Sequence, residues 1–505
     1  MKNENDKYSL DNIDEREEAR ITEHIDERKR KLQAQRAKRR RDVLIMKCVI
    51  SVLVLVIVFL SVILVKSALI PGMKDAKENR AKQKQKEQIQ QMTEMETDPV
   101  ETEVSEQEII AEADRLAAMY DYDKAIALVK SAPSYTSSQV LQDKAASYEA
   151  TKATCQPYPL DQVTHVFFHS MIKDTDKAFD GDITQDGYNQ VMTTMSEFAG
   201  IMESMYEKGY VMVSLHDMCI VNSDGTVSKG EILLPPGKKP FVLSQDDVSY
   251  YHYMDGDGYP TKLIIDENGD VKNSYIEDDG SISVGDYDMV PWIDTFVDAH
   301  PDFSYRGRKG IIALTGYEGV LGYRTDEVYR TKEAERVTMY QQMFFDANPD
   351  FDEAAWQKEV DEATAVAAAM RADGWEFASH TWGHIAPQVS GLDGTKRDTE
   401  RWLNNVETIV GDTDVIIFAF GADIGDWQPY TMDNPFFAYM KEKGFNIFCN
   451  VDSSPYWVQF GNDYMRQARR NLDGYRMYYN PELLTDLFDV NEVWDNSRPT
   501  PVPAI

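Results

Sequence analysis

Two pairs of residues in this sequence have the types and the spacing of a metal-dependent hydrolytic site. Asp246 and Asp247 stand together just after the apolar run 241–243, and His380 and His384, four residues apart, follow another apolar run. Neutral imidazoles and a carboxylate form a donor set that suits zinc and leaves a position open for water. Adjacent aspartates point in different directions, so one can bind the metal while the other receives a proton. The combination predicts hydrolysis of an amide or an ester.

Each pair on its own also has a purely structural interpretation. Adjacent aspartates are common in solvated turns and at helix caps, and histidines four residues apart commonly lie on a surface. Thr381 stands where the H-E-x-x-H motif of zinc proteases has its glutamate, so that motif is absent. The hydrolytic interpretation therefore depends on both pairs following strands of the same domain.

Short apolar runs alternate with helix-like stretches between about residues 160 and 495. This alternation predicts an α/β domain with a largely parallel sheet, either open or closed into a barrel. In such a barrel the reactive residues lie where strands end and loops begin. The predicted strands are 163–168, 241–243, 310–314, 375–378, 415–420 and 445–449, and the predicted helices include 188–208, 351–372 and 398–410. Turn signals within 248–308 predict inserted hairpins.

Four segments of this domain resemble the polysaccharide deacetylase (NodB-homology) family of carbohydrate esterases. The chain has Phe168-His169 at the end of its first strand, Lys208-Gly209-Tyr210 before another strand, the motif-like stretch 235–247, and His380-Thr381-Trp382-Gly383-His384. The resemblance covers 156–495, with insertions at 248–308 and around 324–365. It implies an irregular (β/α) barrel and metal-dependent removal of acetyl groups from a polysaccharide.

Site residues can be carried over where the motifs match. The resemblance implies that Asp246 is the general base and that Asp247, His380 and His384 bind a divalent metal, of which zinc is the expected one. Phe420 stands where the family has a tyrosine, and its backbone N–H is expected to help hold the oxyanion.

Three features of the sequence depart from the family pattern. Ser244-Gln245 replaces the usual Thr-Phe, and the stretch 418–421 lacks both the arginine and the proline of the Arg-x-Pro-Tyr motif. No histidine follows His384, so the histidine that supplies the general acid in the family has no counterpart. His169 either replaces that acid or packs beside the site.

The amino-terminal part of the chain predicts a membrane anchor. Residues 43–70 contain an apolar run long enough to span a bilayer, and nine Lys/Arg residues lie between Arg28 and Arg41. The positive-inside rule then places 1–42 in the cytoplasm and the catalytic domain outside the cell membrane. Residues 71–105 are predicted to form a charged stalk, and 106–150 a helical hairpin of tetratricopeptide type that packs against the main domain.

Charge and cysteine content restrict the function further. The formal net charge of −33 argues against a nucleic-acid partner. The four cysteines form no C-x-x-C pair, and those after the anchor are expected to be buried thiols, with a Cys155–Cys449 or Cys219–Cys449 disulfide as the alternative. Five aromatic residues are candidates for a floor on which sugar rings stack, or for ordinary packing: Tyr250, Tyr251, Trp382, Trp427 and Trp457.

Three functional hypotheses follow. The first is a membrane-anchored extracytoplasmic deacetylase that removes N- or O-acetyl groups from a cell-wall or capsular polysaccharide. The second is a catalytically decayed member of the fold that binds glycan or acts as a scaffold, which the missing acid and arginine would favour. The third is an envelope adaptor in which the helical hairpin binds a partner.

Overall fold

The computed structural model describes residues 105–333, 337–452 and 454–505. The helices and strands named below belong to the compact unit Glu106–Ile505. The predicted tail 1–42, the predicted anchor 43–70 and all of the predicted stalk except Ser105 lie outside the described residues. Within the described ranges, no helix has the length and apolarity needed to cross a membrane.

Seven parallel strands form a closed barrel. In chain order they are β1 (Thr164–Phe168), β2 (Lys239–Asp246), β3 (Ile311–Leu314), β4 (Glu376–Ser379), β5 (Val415–Ile417), β6 (Ile447–Val451) and β7 (Met465–Asn471). Each strand pairs with the next one along the chain, and β7 pairs with β1 to close the barrel. The prediction of an α/β barrel is confirmed, although β7 is absent from the predicted strands.

Helices and smaller strands surround the barrel. The α-helices of the barrel domain are Thr175–Ala178, Gln185–Val191, Met195–Glu207, Leu215–Met218, Met289–Ala299, Glu327–Thr331, Met339–Ala347, Glu353–Ala372, Pro387–Trp402, Thr408–Val410, Pro435–Glu442, Gly474–Tyr479 and Val490–Val493. Tyr210–Met212 pairs beside the start of β2, and Val458–Phe460 pairs antiparallel with β7. Two short antiparallel pairs join Gln156–Pro157 to Leu233–Leu234 and Cys219–Val221 to Val227–Lys229.

Alternate residues of the strands belong to two separate apolar clusters. Leu243, Ile312 and Phe377 pack with residues of the surrounding helices, whereas Val242 and Ala313 belong to a cluster that continues into the amino-terminal helices. This alternation follows from the two-residue period of a strand, which sends neighbouring side chains to opposite faces. Helices therefore cover the outside of the barrel, and both apolar and polar side chains fill its interior.

Three helices, rather than the predicted two, precede the barrel: Glu106–Ala118, Tyr122–Ser131 and Gln139–Lys152. They pack against the segment that leads into β3. The Tyr120 hydroxyl donates to the Asp302 carbonyl at 2.8 Å, and the Arg306 N–H donates to the Met119 carbonyl at 2.7 Å. These bonds attach the helices to the barrel domain, at the end of the strands opposite the residues that follow β2 and β4.

The inserted segment 248–308 contains a three-stranded antiparallel sheet of Lys262–Ile265, Val271–Ile276 and Ile282–Gly285. Asp288 joins this insertion to the barrel, because its buried carboxylate accepts from Gln245 Nε2 at 2.6 Å and from the Tyr250 hydroxyl at 2.7 Å. Burial raises the pKa of Asp288 to about 6, even though these donors act in the opposite direction. The described cysteines Cys155, Cys219 and Cys449 are all free, so neither alternative disulfide forms.

Candidate metal and hydrolytic site

The loops that follow β2 and β4 bring three predicted metal ligands together. One ligand atom from each of Asp247, His380 and His384 lies within 4.8 Å of the other two. Asp247 Oδ2 is 3.6 Å from His384 Nε2. Asp247 has φ +61° and His384 has φ +51°, a backbone region that non-glycine residues adopt at a cost and that is concentrated at functional sites. The two loops are thus folded so that these side chains converge.

The surroundings of both histidines suit a metal ligand. The His380 ring is buried, and its Nδ1 donates to the Ile417 carbonyl at 2.8 Å. This hydrogen bond occupies Nδ1 and leaves Nε2 as the nitrogen that can face a metal. Burial lowers the pKa of His384, and the attraction of Asp247 does not reverse that effect. His384 is therefore a neutral imidazole near pH 7.

Asp398 holds the loop that carries the two histidines. Its Oδ2 accepts from the Trp382 N–H at 2.7 Å and its Oδ1 from the Gly383 N–H at 2.8 Å. The Arg401 guanidinium lies 3.2 Å from the centre of the Trp382 ring and stacks on it. Asp398 is not predicted from the sequence, because it lies in a helix (Pro387–Trp402) with no motif around it.

Asp246 is buried and paired with an arginine. Arg469, on β7, donates to Asp246 Oδ1 at 2.7 Å and to Oδ2 at 2.9 Å. Burial alone would raise the pKa of Asp246, but Arg469, together with His380 and His169, holds this pKa well below its ordinary value. The sequence lacks the family arginine after β5, and the structure shows an arginine on β7 in contact with the carboxylate instead.

Ser244, one of the departures from the family pattern, takes part in the same network. Its hydroxyl accepts from Arg469 Nη1 at 3.2 Å and lies 2.9 Å from His165 Nε2. Burial keeps the pKa of His165 well below its ordinary value, so this histidine is neutral. The serine therefore helps to hold the arginine that contacts Asp246.

His169 lies at the end of β1 in the same neighbourhood. Its Nδ1 donates to the Val191 carbonyl at 3.1 Å, so Nε2 is the ring nitrogen that this bond leaves free. Its imidazole interacts electrostatically with Asp246, His384 and the buried Asp473. Gln245, the second departure from the family pattern, donates to the His169 carbonyl at 3.1 Å.

Phe420 follows β5 and lies beside the ligands. Its ring centre is 4.3 Å from that of His384 and the residue is 72% exposed. Its φ of +58° turns the chain immediately after the strand. The flanking turn bonds run from Gly421 to Phe418 and from Ala422 to Ala419, and within the described residues the Phe420 N–H makes no hydrogen bond.

Of the two interpretations open for the five aromatic residues, ordinary packing holds for Tyr250 and Tyr251. Tyr250 and Tyr251 are each only 2% exposed, so their rings cannot stack on a sugar. Trp427 is 47% exposed and meets the half-buried Trp457 edge to face, with ring centres 5.3 Å apart. Arg401 covers the half-buried Trp382, and Arg466 lies 4.9 Å from the centre of the Trp457 ring. Trp427 is therefore the candidate that keeps the most accessible ring.

Comparisons with known proteins add one structural likeness. No family profile matches the sequence, and no curated protein matches it. Among solved structures, the deacetylase PplD from Streptococcus pyogenes in complex with acetate is similar at a TM-score of 0.33 and 10% sequence identity, covering 66% of this chain and 99% of that one.

Proposed function

We propose that this protein is a metal-dependent hydrolase that removes acetyl groups from a cell-surface polysaccharide. The observation that carries the proposal is the convergence of Asp247, His380 and His384 within 4.8 Å. Asp247 and His380 are 133 residues apart in the sequence and lie on different loops. Such a set of two neutral imidazoles and one carboxylate is typical of catalytic zinc sites, which use three protein ligands and leave a position open.

The donor atoms fit a divalent metal. His380 Nε2 is left with its lone pair because Nδ1 is bonded to a carbonyl, and Asp247 is at least partly buried beside it. A divalent cation held there supplies Lewis acidity and lowers the pKa of a bound water toward 7. Nitrogen and carboxylate donors together favour zinc over the harder magnesium and calcium ions.

The chain's own residues then carry the protons. Asp246, ionised and oriented by Arg469, is the proposed acceptor of a proton when water attacks the acetyl carbonyl. The Phe420 N–H is the proposed donor to the oxygen that gains negative charge. His169 Nε2 is the candidate donor to the leaving nitrogen or oxygen of the sugar. These roles depend on the proposed metal site. Two of them fall to residues at positions where the family motifs are incomplete.

The choice between an enzyme and a decayed scaffold turns on the missing arginine and the missing acid. Arg469 contacts Asp246 from β7, and His169 lies near Asp246 and His384 from β1. Arg469 and His169 are the proposed substitutes for the missing arginine and the missing acid, and their presence favours the enzyme. The substrate class rests on the motif resemblance, and the negative charge of the chain suits a neutral or amine-bearing glycan.

We also propose that segment 43–70 anchors the protein in the cell membrane, with the barrel domain outside the cell. The basic cluster before this segment supports that orientation. Recovery of the full chain in the soluble fraction of disrupted cells, rather than with the membranes, would contradict the anchor.

Chelation is expected to stop acetate release by the purified full chain. Acetylated glucosamine oligomers serve as the substrate, acetate is measured, and zinc is added back after the chelator is removed. We expect release to fall to background, because no other described residue group replaces the three ligands, and to recover with zinc. Release that survives complete metal removal contradicts the proposal, and binding of oligomers without any acetate release supports the scaffold instead.

A further inference from the structure

The two oxygens of the Asp247 carboxylate have different partners. Oδ1 accepts a hydrogen bond from the Tyr251 hydroxyl at 2.8 Å, while Oδ2 lies 3.6 Å from His384 Nε2. Only Oδ2 is therefore directed at the other candidate ligands without a competing donor. Tyr251 follows Asp247 by four residues, so this hydrogen bond is local in the sequence.

Tyr251 is held in place on every side. It is 2% exposed, and its ring stacks on Tyr317 at 4.7 Å with an interplanar angle of 9° and on Tyr253 at 5.7 Å with 17°. Its oxygen also contacts the buried Thr315 hydroxyl. Because the Tyr251 proton is given to Asp247, the Thr315 hydroxyl must donate to the Tyr251 oxygen. The Tyr317 side chain also lies within hydrogen-bonding range of the Tyr251 phenol.

The same stack joins the ligand loops to one another. Tyr317 and Gly316 follow β3, and their N–H groups donate to the Trp382 carbonyl at 3.1 and 2.8 Å. Trp382 lies between the two histidines in the chain. The tyrosine stack thus connects the loop of Asp247, after β2, to the loop of His380 and His384, after β4, through the loop after β3.

We propose that Tyr251 is a positioning residue that fixes Asp247 as a one-oxygen ligand, an inference that rests on the proposed metal site. The hydroxyl occupies Oδ1 and leaves Oδ2 as the single ligand atom. Together with the two imidazoles this gives three protein donors and keeps the remaining coordination positions open for water and substrate. Without the hydroxyl, the carboxylate is free to rotate and to bind through both oxygens.

The Tyr251→Phe variant tests this role, because it keeps the stacked ring and removes only the hydroxyl. Zinc affinity is measured on the full chain by competition with a chromophoric chelator. Loss of a group that orients a metal ligand typically weakens metal binding about 10- to 100-fold, and we expect a loss in this range. Thr315→Val, which leaves the hydroxyl bond to Asp247 in place, is expected to weaken zinc binding by only a few fold.

Tyr259→Phe is the matched control. Tyr259 is a buried tyrosine of the same insertion, and within the described residues its hydroxyl has no hydrogen-bond partner. The zinc affinity of the Tyr259→Phe variant is expected to stay within about twofold of wild type. Equal zinc affinity in Tyr251→Phe and Tyr259→Phe would overturn the positioning role alone. A wild-type chain that binds no zinc would overturn the proposed function together with this inference.

Discussion

Replacing Asp246 with asparagine is expected to reduce the rate of acetate release by about 10²- to 10⁴-fold, the usual contribution of a general base. The amide keeps the shape of the side chain but cannot accept the proton. Asp246 is outside the group of three ligand atoms, so zinc content is expected to be unchanged. The check is kcat for acetate release together with zinc measured on the same preparation.

Asp486→Asn provides the control for this variant. Asp486 also forms a two-pronged pair with an arginine of β7, since Arg470 donates to its two oxygens at 2.9 and 2.8 Å. This pair lies next to the Arg469 pair along the strand but contacts none of the three metal ligands. We expect kcat within about threefold of wild type. Equal rates in Asp246→Asn and wild type would remove Asp246 from the mechanism.

Replacing Arg469 with methionine is expected to impair both stability and activity. The guanidinium is 1% exposed and Asp246 is 3% exposed, so the variant leaves a buried carboxylate without its cation. Breaking such a pair from one side typically costs about 3–5 kcal/mol in the free energy of unfolding. The base also loses its orientation, and we expect kcat to fall at least about 100-fold. Chemical denaturation and acetate release measure the two effects.

Two further variants show whether the loss of stability in Arg469→Met comes from the unpaired charge of Asp246. Arg470→Met removes the neighbouring arginine, whose partner Asp486 is 33% exposed and can be solvated, so a smaller loss of stability is expected. The double variant Asp246→Asn, Arg469→Met is expected to be more stable than Arg469→Met alone, since it no longer buries an unpaired charge. A double variant less stable than Arg469→Met would show that the arginine stabilises the barrel in some other way.

The convergence of the three proposed metal ligands could be predicted because their signals are local. Asp246-Asp247 and the His380–His384 pair each lie within a few residues of an apolar strand, and the barrel brings the carboxyl ends of its strands to one side. Arg469 could not be predicted in this way. It reaches Asp246 across 223 residues of sequence, and nothing around it marks the contact.

The strand that carries Arg469, β7, is absent from the predicted strands for a related reason. β7 reads Met-Arg-Gln-Ala-Arg-Arg-Asn, which has the composition of an exposed strand, yet six of its seven residues are buried. The fold compensates for the buried charges with Asp423, Asp246 and Asp486, which pair with Arg466, Arg469 and Arg470. Hydropathy along the chain cannot identify a strand whose buried charges are matched from distant segments.

One boundary between helices is absent from the prediction although the sequence marks it. The predicted helix 188–208 is two helices, Gln185–Val191 and Met195–Glu207, separated at Thr193 and Thr194. Thr194 and Glu197 form a capping box that starts the second helix, and the Thr-x-x-Glu spacing is readable in the sequence. By contrast, the π-helical turn Leu403–Glu407 inside the predicted helix 398–410 has no comparable signature.

The sharpest test of the metal site is anomalous X-ray diffraction at the zinc absorption edge, from crystals of the protein grown with zinc. We expect one strong peak at about 2.0–2.2 Å from Asp247 Oδ2, His380 Nε2 and His384 Nε2. We also expect no bond from Asp247 Oδ1, which stays with the Tyr251 hydroxyl. Full zinc occupancy elsewhere in the protein, with no peak among these three residues, would rule out the proposed hydrolase.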